Sequence, residues 1–104
     1  MIDVAGFSDL RNYIKRRVAY ARYRAGNTWT KVPLSSCTVR SDGIVRAALN
    51  INNNGSTITV TRVELYNTDQ ELWAHQDCSI KVESTQSGIL FWFDFRITES
   101  EDDV

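Results

Sequence analysis

One stretch constrains the fold of this chain more than any other: between residues 89 and 97, Ile89, Phe91, Phe93, Phe95 and Ile97 alternate with Leu90, Trp92, Asp94 and Arg96. A period of two puts the first set on one face of a β-strand and the second on the other. Burying each of those apolar side chains is worth about 1.5–3 kcal/mol before entropy is charged, so the strand is expected to anchor a core. Val45, Ala47, Leu49 and Ile51 form a second inward row, and Cys78, Ile80 and Val82 a third.

From Asn27 onward the same alternation recurs between closely spaced turn signals, which is the pattern of an all-β region. Strands are expected at about 28–34, 37–41, 43–52, 56–67, 71–83 and 88–98. Ser41-Asp42-Gly43, Asn67-Thr68-Asp69-Gln70 and Thr85-Gln86-Ser87-Gly88 supply turns, and Asn52-Asn53-Asn54-Gly55 reads as the clearest hairpin. The apolar phase slips by one residue between Val60 and Val63, which predicts a bulge near Thr61-Arg62. Pro33 cannot donate to a ladder and marks an edge or a strand end. With 104 residues there is material for one core. The expected fold is mainly β: one domain over 1–104, an antiparallel β-sandwich of about six strands spanning 27–98, an amino-terminal amphipathic basic helix within 1–26 and an acidic tail at 99–104.

The helix expectation rests on Leu10, Ile14, Val18, Ala21 and Ala25, spaced for one helical face, with Ser8 as N-cap and Gly26 as terminator. The stripe is narrow, so the helix is expected to lie on a surface. Charge divides at the same place. Residues 1–26 carry six bases against Asp3 and Asp9, or +4, and residues 27–104 carry six bases against eleven acids, or −5, within an overall charge of −1. Opposite signs on two parts of one chain suit docking onto another copy, another protein or nucleic acid.

The amino terminus has no basic segment leading into an apolar run, and no stretch approaches the ~18 apolar residues of a membrane span, so a soluble cytoplasmic protein is expected. Cys37 and Cys78 lie outside any CxxC pair, which argues against a zinc or redox motif. Free thiols are the first reading, with a single disulfide the alternative if the protein ends outside a cell.

Catalytic patterns are sparse. His75 is the single histidine, so neither a His-pair metal motif nor a recognisable triad is present, and Gly-rich phosphate cradles and a GxSxG elbow are missing. Glu64, Glu71, Asp77, Glu83 and Asp94 offer carboxylate pairs of the kind glycosidases use, but a solvated strand face explains them as well. Asn54-Gly55-Ser56 matches a glycosylation sequon and reads as turn chemistry. The expectation is a non-enzyme with no cofactor and no metal. Two sets of residues remain for binding. Lys15, Arg16, Arg17, Tyr20, Arg22, Tyr23 and Arg24 interleave bases with aromatics and form a docking candidate. Nucleic acid is disfavoured as its partner by the acidic body. Trp29, Trp73 and Trp92 are candidate exposed aromatics, suited to a subunit interface, to the core of a second sheet or to sugar stacking.

The opening segment with Arg16-Arg17-Val18-Ala19-Tyr20-Ala21-Arg22-Tyr23, the run Ile58-Thr59-Val60-Thr61 into Val63-Glu64-Leu65-Tyr66, then Leu72-Trp73-Ala74 and Ser87-Gly88-Ile89-Leu90-Phe91, together resemble a family of small proteins from the tail and baseplate modules of phages and prophages of Gram-positive bacteria. The chain departs from that pattern at Asn67-Thr68-Asp69-Gln70, where an Asp-Gly turn is expected. Members sometimes carry the label ketopantoate hydroxymethyltransferase, which implies a (β/α)₈ barrel of ~250 residues; a chain of this length and strand pattern cannot form one, and the label is spurious. The resemblance implies a structural or accessory protein of virion assembly, acting through contacts with other tail proteins or with copies of itself as a homo-oligomer. It would reside in the host cytoplasm during assembly or in the virion tail. A carbohydrate- or receptor-binding sandwich module and an immunity-type inhibitor are the alternatives.

Overall fold

In the computed structural model, which describes residues 1–99, the chain runs through one helix, α1 (Val4–Arg17), and seven strands: β1 (Val18–Ala25), β2 (Thr28–Pro33), β3 (Ser36–Val39), β4 (Val45–Ile51), β5 (Ile58–Asn67), β6 (Leu72–Val82) and β7 (Ile89–Phe95). The strands form two antiparallel sheets, one of four strands in the order β2-β1-β5-β6 and one of three in the order β3-β4-β7. The mainly-β, two-sheet architecture is the one the alternation implies, and all six expected strands are present. The acidic tail expected at 99–104 lies outside the described residues apart from Glu99.

The amino-terminal helix is shorter than its spacing implied. It starts at Val4, after an N-cap at Asp3 whose side chain makes no capping bond, so Ser8 lies inside the helix and does not cap it, and it stops at Arg17, where Val18 turns extended. Residues 18–25, expected as the second half of the helix, are instead the strand β1, inserted between β2 and β5. Two periods compete in Val-Ala-Tyr-Ala-Arg-Tyr-Arg-Ala: alanines at helical spacing, and alternation of Ala21 and Tyr23 with Tyr20, Arg22 and Arg24. Val and Tyr favour strands, and from Tyr20 to Ala25 the strand pairs along both edges while burying Ala21 and Tyr23 completely or nearly so. Tertiary pairing therefore overrides a weak local helical preference. Gly26 ends β1, as the loop of a hairpin: Ala25 pairs with Thr28, leaving Gly26 and Asn27 as a two-residue connection with Gly26 at φ 63°.

The helix keeps no fully buried residue and lies on the surface, with Ile14 reaching the core and its last turn, Lys15, Arg16 and Arg17, carrying the charge that suits a helix C-terminus. Arg17 anchors it: its guanidinium donates to Thr68 Oγ1 at 2.7 Å and Asp69 Oδ2 at 2.8 Å, and its carbonyl accepts from Thr68 N–H. The anchoring turn is the one that departs from an Asp-Gly pattern. Asn67 does the work instead: fully buried, its Oδ1 accepts from the N–H groups of Asp69 and Glu71, while Gln70 takes the left-handed position at φ 62°.

The fully buried apolar residues come from β1, β4 and β5, namely Ala21, Val45, Ala47, Leu49, Ile51, Val60, Val63 and Leu65, with Val82 closing the end of β6. β7, expected to anchor the core, is an edge strand; its phase is as expected, but Ile89, Phe91, Phe93 and Phe95 are only half-buried because among the described residues no strand lies beyond it. The bulge falls where the phase slips, with the β5–β6 register shifting between Val60 and Arg62. Pro33 ends the edge strand β2. Asn52-Asn53-Asn54-Gly55 is not a hairpin, since it carries the chain from the three-stranded to the four-stranded sheet. Its Asn53 amide is buried and donates to the Glu83 carbonyl, tying this crossover to the end of β6. Gly88 returns the chain at φ 130° so close to β4 that a Cβ there would sit 2.6 Å from the Ile51 carbonyl oxygen.

Candidate interaction face

Strand β1 sorts the sequence-predicted docking residues by parity. Tyr20, Arg22 and Arg24 point out of the four-stranded sheet, and Tyr23 points in, where it is buried and its hydroxyl donates to the Asn52 carbonyl. Tyr23 is therefore a core residue and not a docking residue. Arg17 is committed to the β5–β6 turn, while Lys15 and Arg16 are exposed on the helix. Across the sheet the outward residues of β1 stand beside those of β2 and β5, with Arg22 opposite Lys31 and Glu64, and Arg24 opposite Trp29 and Arg62.

The result is a lattice of cations and rings. The Arg22 guanidinium lies 4.1 Å from the Trp29 ring centre and 5.3 Å from that of Tyr66. Tyr66 stacks on Tyr20 with centroids 5.1 Å apart, and Lys31 caps Tyr20 at 4.1 Å. Cross-strand pairs of this kind stabilise a sheet and also fix its side chains. Glu64 holds the centre. It is 5% exposed on an outer face because its carboxylate is covered by its own partners: it accepts from Arg22 Nε, from Arg62 Nε at 2.9 Å and from the Tyr66 hydroxyl at 2.8 Å. Burial alone would raise the Glu64 pKa; the hydrogen bonds from Arg22, Tyr66 and Arg62 outweigh it and hold the carboxyl below its ordinary range. Burial and the bond to Glu64 push the Tyr66 phenol up. Arg62 also reaches Asp77 at 3.3 Å. Sequence reasoning placed Glu64 among possible acids and missed Lys31, Arg62 and Tyr66; the parity of Arg62 and Tyr66 with Glu64 is readable within β5, whereas Lys31 joins them only through sheet order.

Chemically this arrangement suits recognition. A general acid needs a raised carboxyl pKa, whereas Glu64 and Asp94 are both depressed, Asp94 by its two-pronged bond with Arg46 at 2.8 and 2.9 Å. His75 sits opposite Glu64 on β6, exposed, while every oxygen of Glu64 is already taken. Glu71 is bound to the Asn67 amide, and Glu83 pairs with Lys81. Among the described residues no group of three or more His, Cys, Asp or Glu side chains is placed to hold a metal ion. Cys37 and Cys78 are free, half-buried thiols on different sheets, each pushed to a higher pKa by burial.

The tryptophans part company. Trp73 is half-buried between Tyr13 and Phe95, with ring centroids at 6.5 and 6.3 Å, and belongs to the core margin, not to an exposed face. Trp29 and Trp92 are exposed but lie on different sheets, and Arg46 stacks on Trp92 at 4.4 Å as Arg22 does on Trp29. Comparison of the chain with family models, with curated proteins and with solved structures finds no match.

Proposed function

We propose that this chain is a non-enzymatic structural or accessory protein of a phage tail or baseplate, and that it works by gripping another protein with the outer face of its four-stranded sheet. The observation that carries the reading is the composition and rigidity of that face. Tyr20, Arg22, Arg24, Trp29, Arg62 and Tyr66 are the residue types that dominate binding energy at protein interfaces, and Glu64 holds Arg22, Arg62 and Tyr66 in place before any partner arrives. Arg22, Arg24, Lys31 and Arg62 outweigh Glu64 and Asp77 on this face, so the partner surface is acidic. The phage assignment rests on the sequence resemblance. Among the described residues no helix is long and apolar enough to cross a membrane, which suits a protein assembled in the host cytoplasm and carried in the virion tail.

The test is binding of the full chain to purified tail and baseplate proteins encoded beside it, measured by biolayer interferometry, with Arg24→Glu and Lys31→Glu in parallel. Arg24 and Lys31 are exposed and make no bond to Glu64, so their reversal leaves the fold intact. Expected is submicromolar binding to one tail protein, weakened at least tenfold by either reversal. Absence of binding to every tail protein, or binding indifferent to both reversals, would overturn the reading.

A further inference from the structure

The three-stranded sheet ends in a strand that the chain leaves unpaired. β7 hydrogen-bonds to β4 along one side, and among the described residues no backbone group bonds to its other side. The other free edges are blunted in ways that natural sheets use to avoid pairing. β2 carries Lys31 and ends at Pro33, β3 is four residues long, and β6 borders a ladder broken by two register shifts and carries Gln76, Asp77 and Lys81. β7 is seven residues, Ile-Leu-Phe-Trp-Phe-Asp-Phe, with no proline, no lysine and no shift in its register with β4. Its outer face leaves Leu90 53% and Trp92 45% exposed. Its inner face is half-buried.

What fits such an edge is set by its own sequence. The alternate residues from Ile89 to Ile97, the last lying two beyond the end of β7, read Ile, Phe, Phe, Phe, Ile, identical in either direction. An antiparallel copy related by a two-fold axis at Phe93 places Ile89 against Ile97, Phe91 against Phe95 and Phe93 against Phe93, so every inward position meets its own kind. On the outer face the same register sets Trp92 against Asp94 and Leu90 against Arg96. Each Asp94 keeps Arg46 on its own sheet and gains an aromatic neighbour across the seam, and no like charges face each other. Centring the axis on Asp94 would oppose the two carboxylates, and centring it on Arg96 the two guanidinium groups.

We propose that β7 is a homodimerisation edge: two copies of the chain pair β7 to β7 in antiparallel, two-fold about Phe93, to give one continuous six-stranded sheet, β3-β4-β7-β7-β4-β3. Such an interface is isologous and closes on itself, and it leaves the cation–aromatic face of each four-stranded sheet free for a different partner. It is carried by backbone bonds and apolar contact, so it differs from assembly through the basic helix, which salt would dissolve.

The test is the solution mass of the full chain by light scattering across a dilution series at low and high salt, with paired substitutions that read the register. Expected is a species of twice 11.9 kDa that persists at high salt. Trp92→Glu sets a carboxylate against Asp94 of the second copy and is expected to give monomer, while Trp92→Lys sets a cation there and keeps the dimer. Leu90 repeats the logic with opposite sign: Leu90→Lys faces Arg96 and breaks the dimer, Leu90→Glu keeps it. Both positions are exposed in the monomer, and circular dichroism checks that each of the four variants folds. A wild-type chain that is monomeric at every attainable concentration overturns the proposal, as does a dimer indifferent to Trp92→Glu and Leu90→Lys, or one lost equally with both signs of charge.

Discussion

Glu64 and Asp94 are both carboxylates gripped by arginine on an outward sheet face, and their surroundings differ in a way that separates the two halves of the molecule. Glu64 stands on β5, an inner strand, with two guanidinium groups and a phenol around it and 6% of its side chain exposed; Asp94 stands on the edge strand β7 with Arg46 and 33% exposed. The four-stranded sheet is satisfied from within, its backbone paired across β1 and β5 and its outer face knitted by side chains. The three-stranded sheet is half-finished: its middle strand β4 is fully buried on the inward side, while β7 offers backbone and apolar surface to whatever lies beside it. Among the described residues both sheets keep free edges, and β7 is the one that joins an unshifted register to exposed Leu90 and Trp92.

That contrast can be broken in several places. The largest effect belongs to the core shared by β1, β4 and β5: Leu65→Ala is expected to cost about 2–5 kcal/mol, whereas Phe93→Ala, which removes more atoms from β7, is expected to cost the monomer less. Urea unfolding of both variants at a concentration where the chain is monomeric gives the ranking, and a larger loss for Phe93→Ala would reverse the assignment of core and edge. Glu64→Gln is next, at about 2 kcal/mol, because it leaves Arg22 and Arg62 facing each other without their shared counter-charge; the figure is well below that of a fully buried pair since both arginines are partly solvated.

The same residue sharpens the comparison through pH. With its folded pKa depressed, Glu64 contributes stability that is fully present above the ordinary glutamate value of about 4.3 and is lost as pH falls through the folded pKa. The gap between wild type and Glu64→Gln in urea melts is therefore expected to be constant from neutral pH down to about pH 5 and to narrow below about pH 4. A gap that widens in acid would contradict the clasp. The smallest effect is Asp94→Asn, where one partly exposed arginine loses its partner; its melt is expected to lie close to wild type, and a loss equal to that of Glu64→Gln would erase the distinction between the two sheets.

Much of the sandwich was legible because it depends on parity. The rows Val45-Ala47-Leu49-Ile51 and Ile89-Phe91-Phe93-Phe95, the bulge at Thr61 and the edge at Pro33 each follow from local pattern and backbone chemistry. Residues 18–25 read as helix from sequence because alanines satisfy helical and strand periods alike, and the decision is made by β2 and β5, which lie at different distances along the chain. The same ambiguity hid the candidate site. Tyr20, Arg22 and Arg24 were recognised as a group, but their true companions Lys31, Arg62, Glu64 and Tyr66 are brought to them only by sheet order, which alternation does not encode. The turn at Asn52–Gly55 has hairpin chemistry and yet joins two sheets, since turn type says how the chain bends and not which strand it meets next.

The central claim is that β1 and β5 form a closed interior while β7 is an open edge, and amide hydrogen exchange along a dilution series tests it most directly. The slowest amides should lie in Val18–Ala25 and Ile58–Asn67 at every concentration, with the β7 amides that face away from β4 exchanging fast in dilute solution and slowing as concentration rises. Rapid exchange throughout 18–25, or β7 protected as strongly as β5 at the lowest concentration, would contradict it.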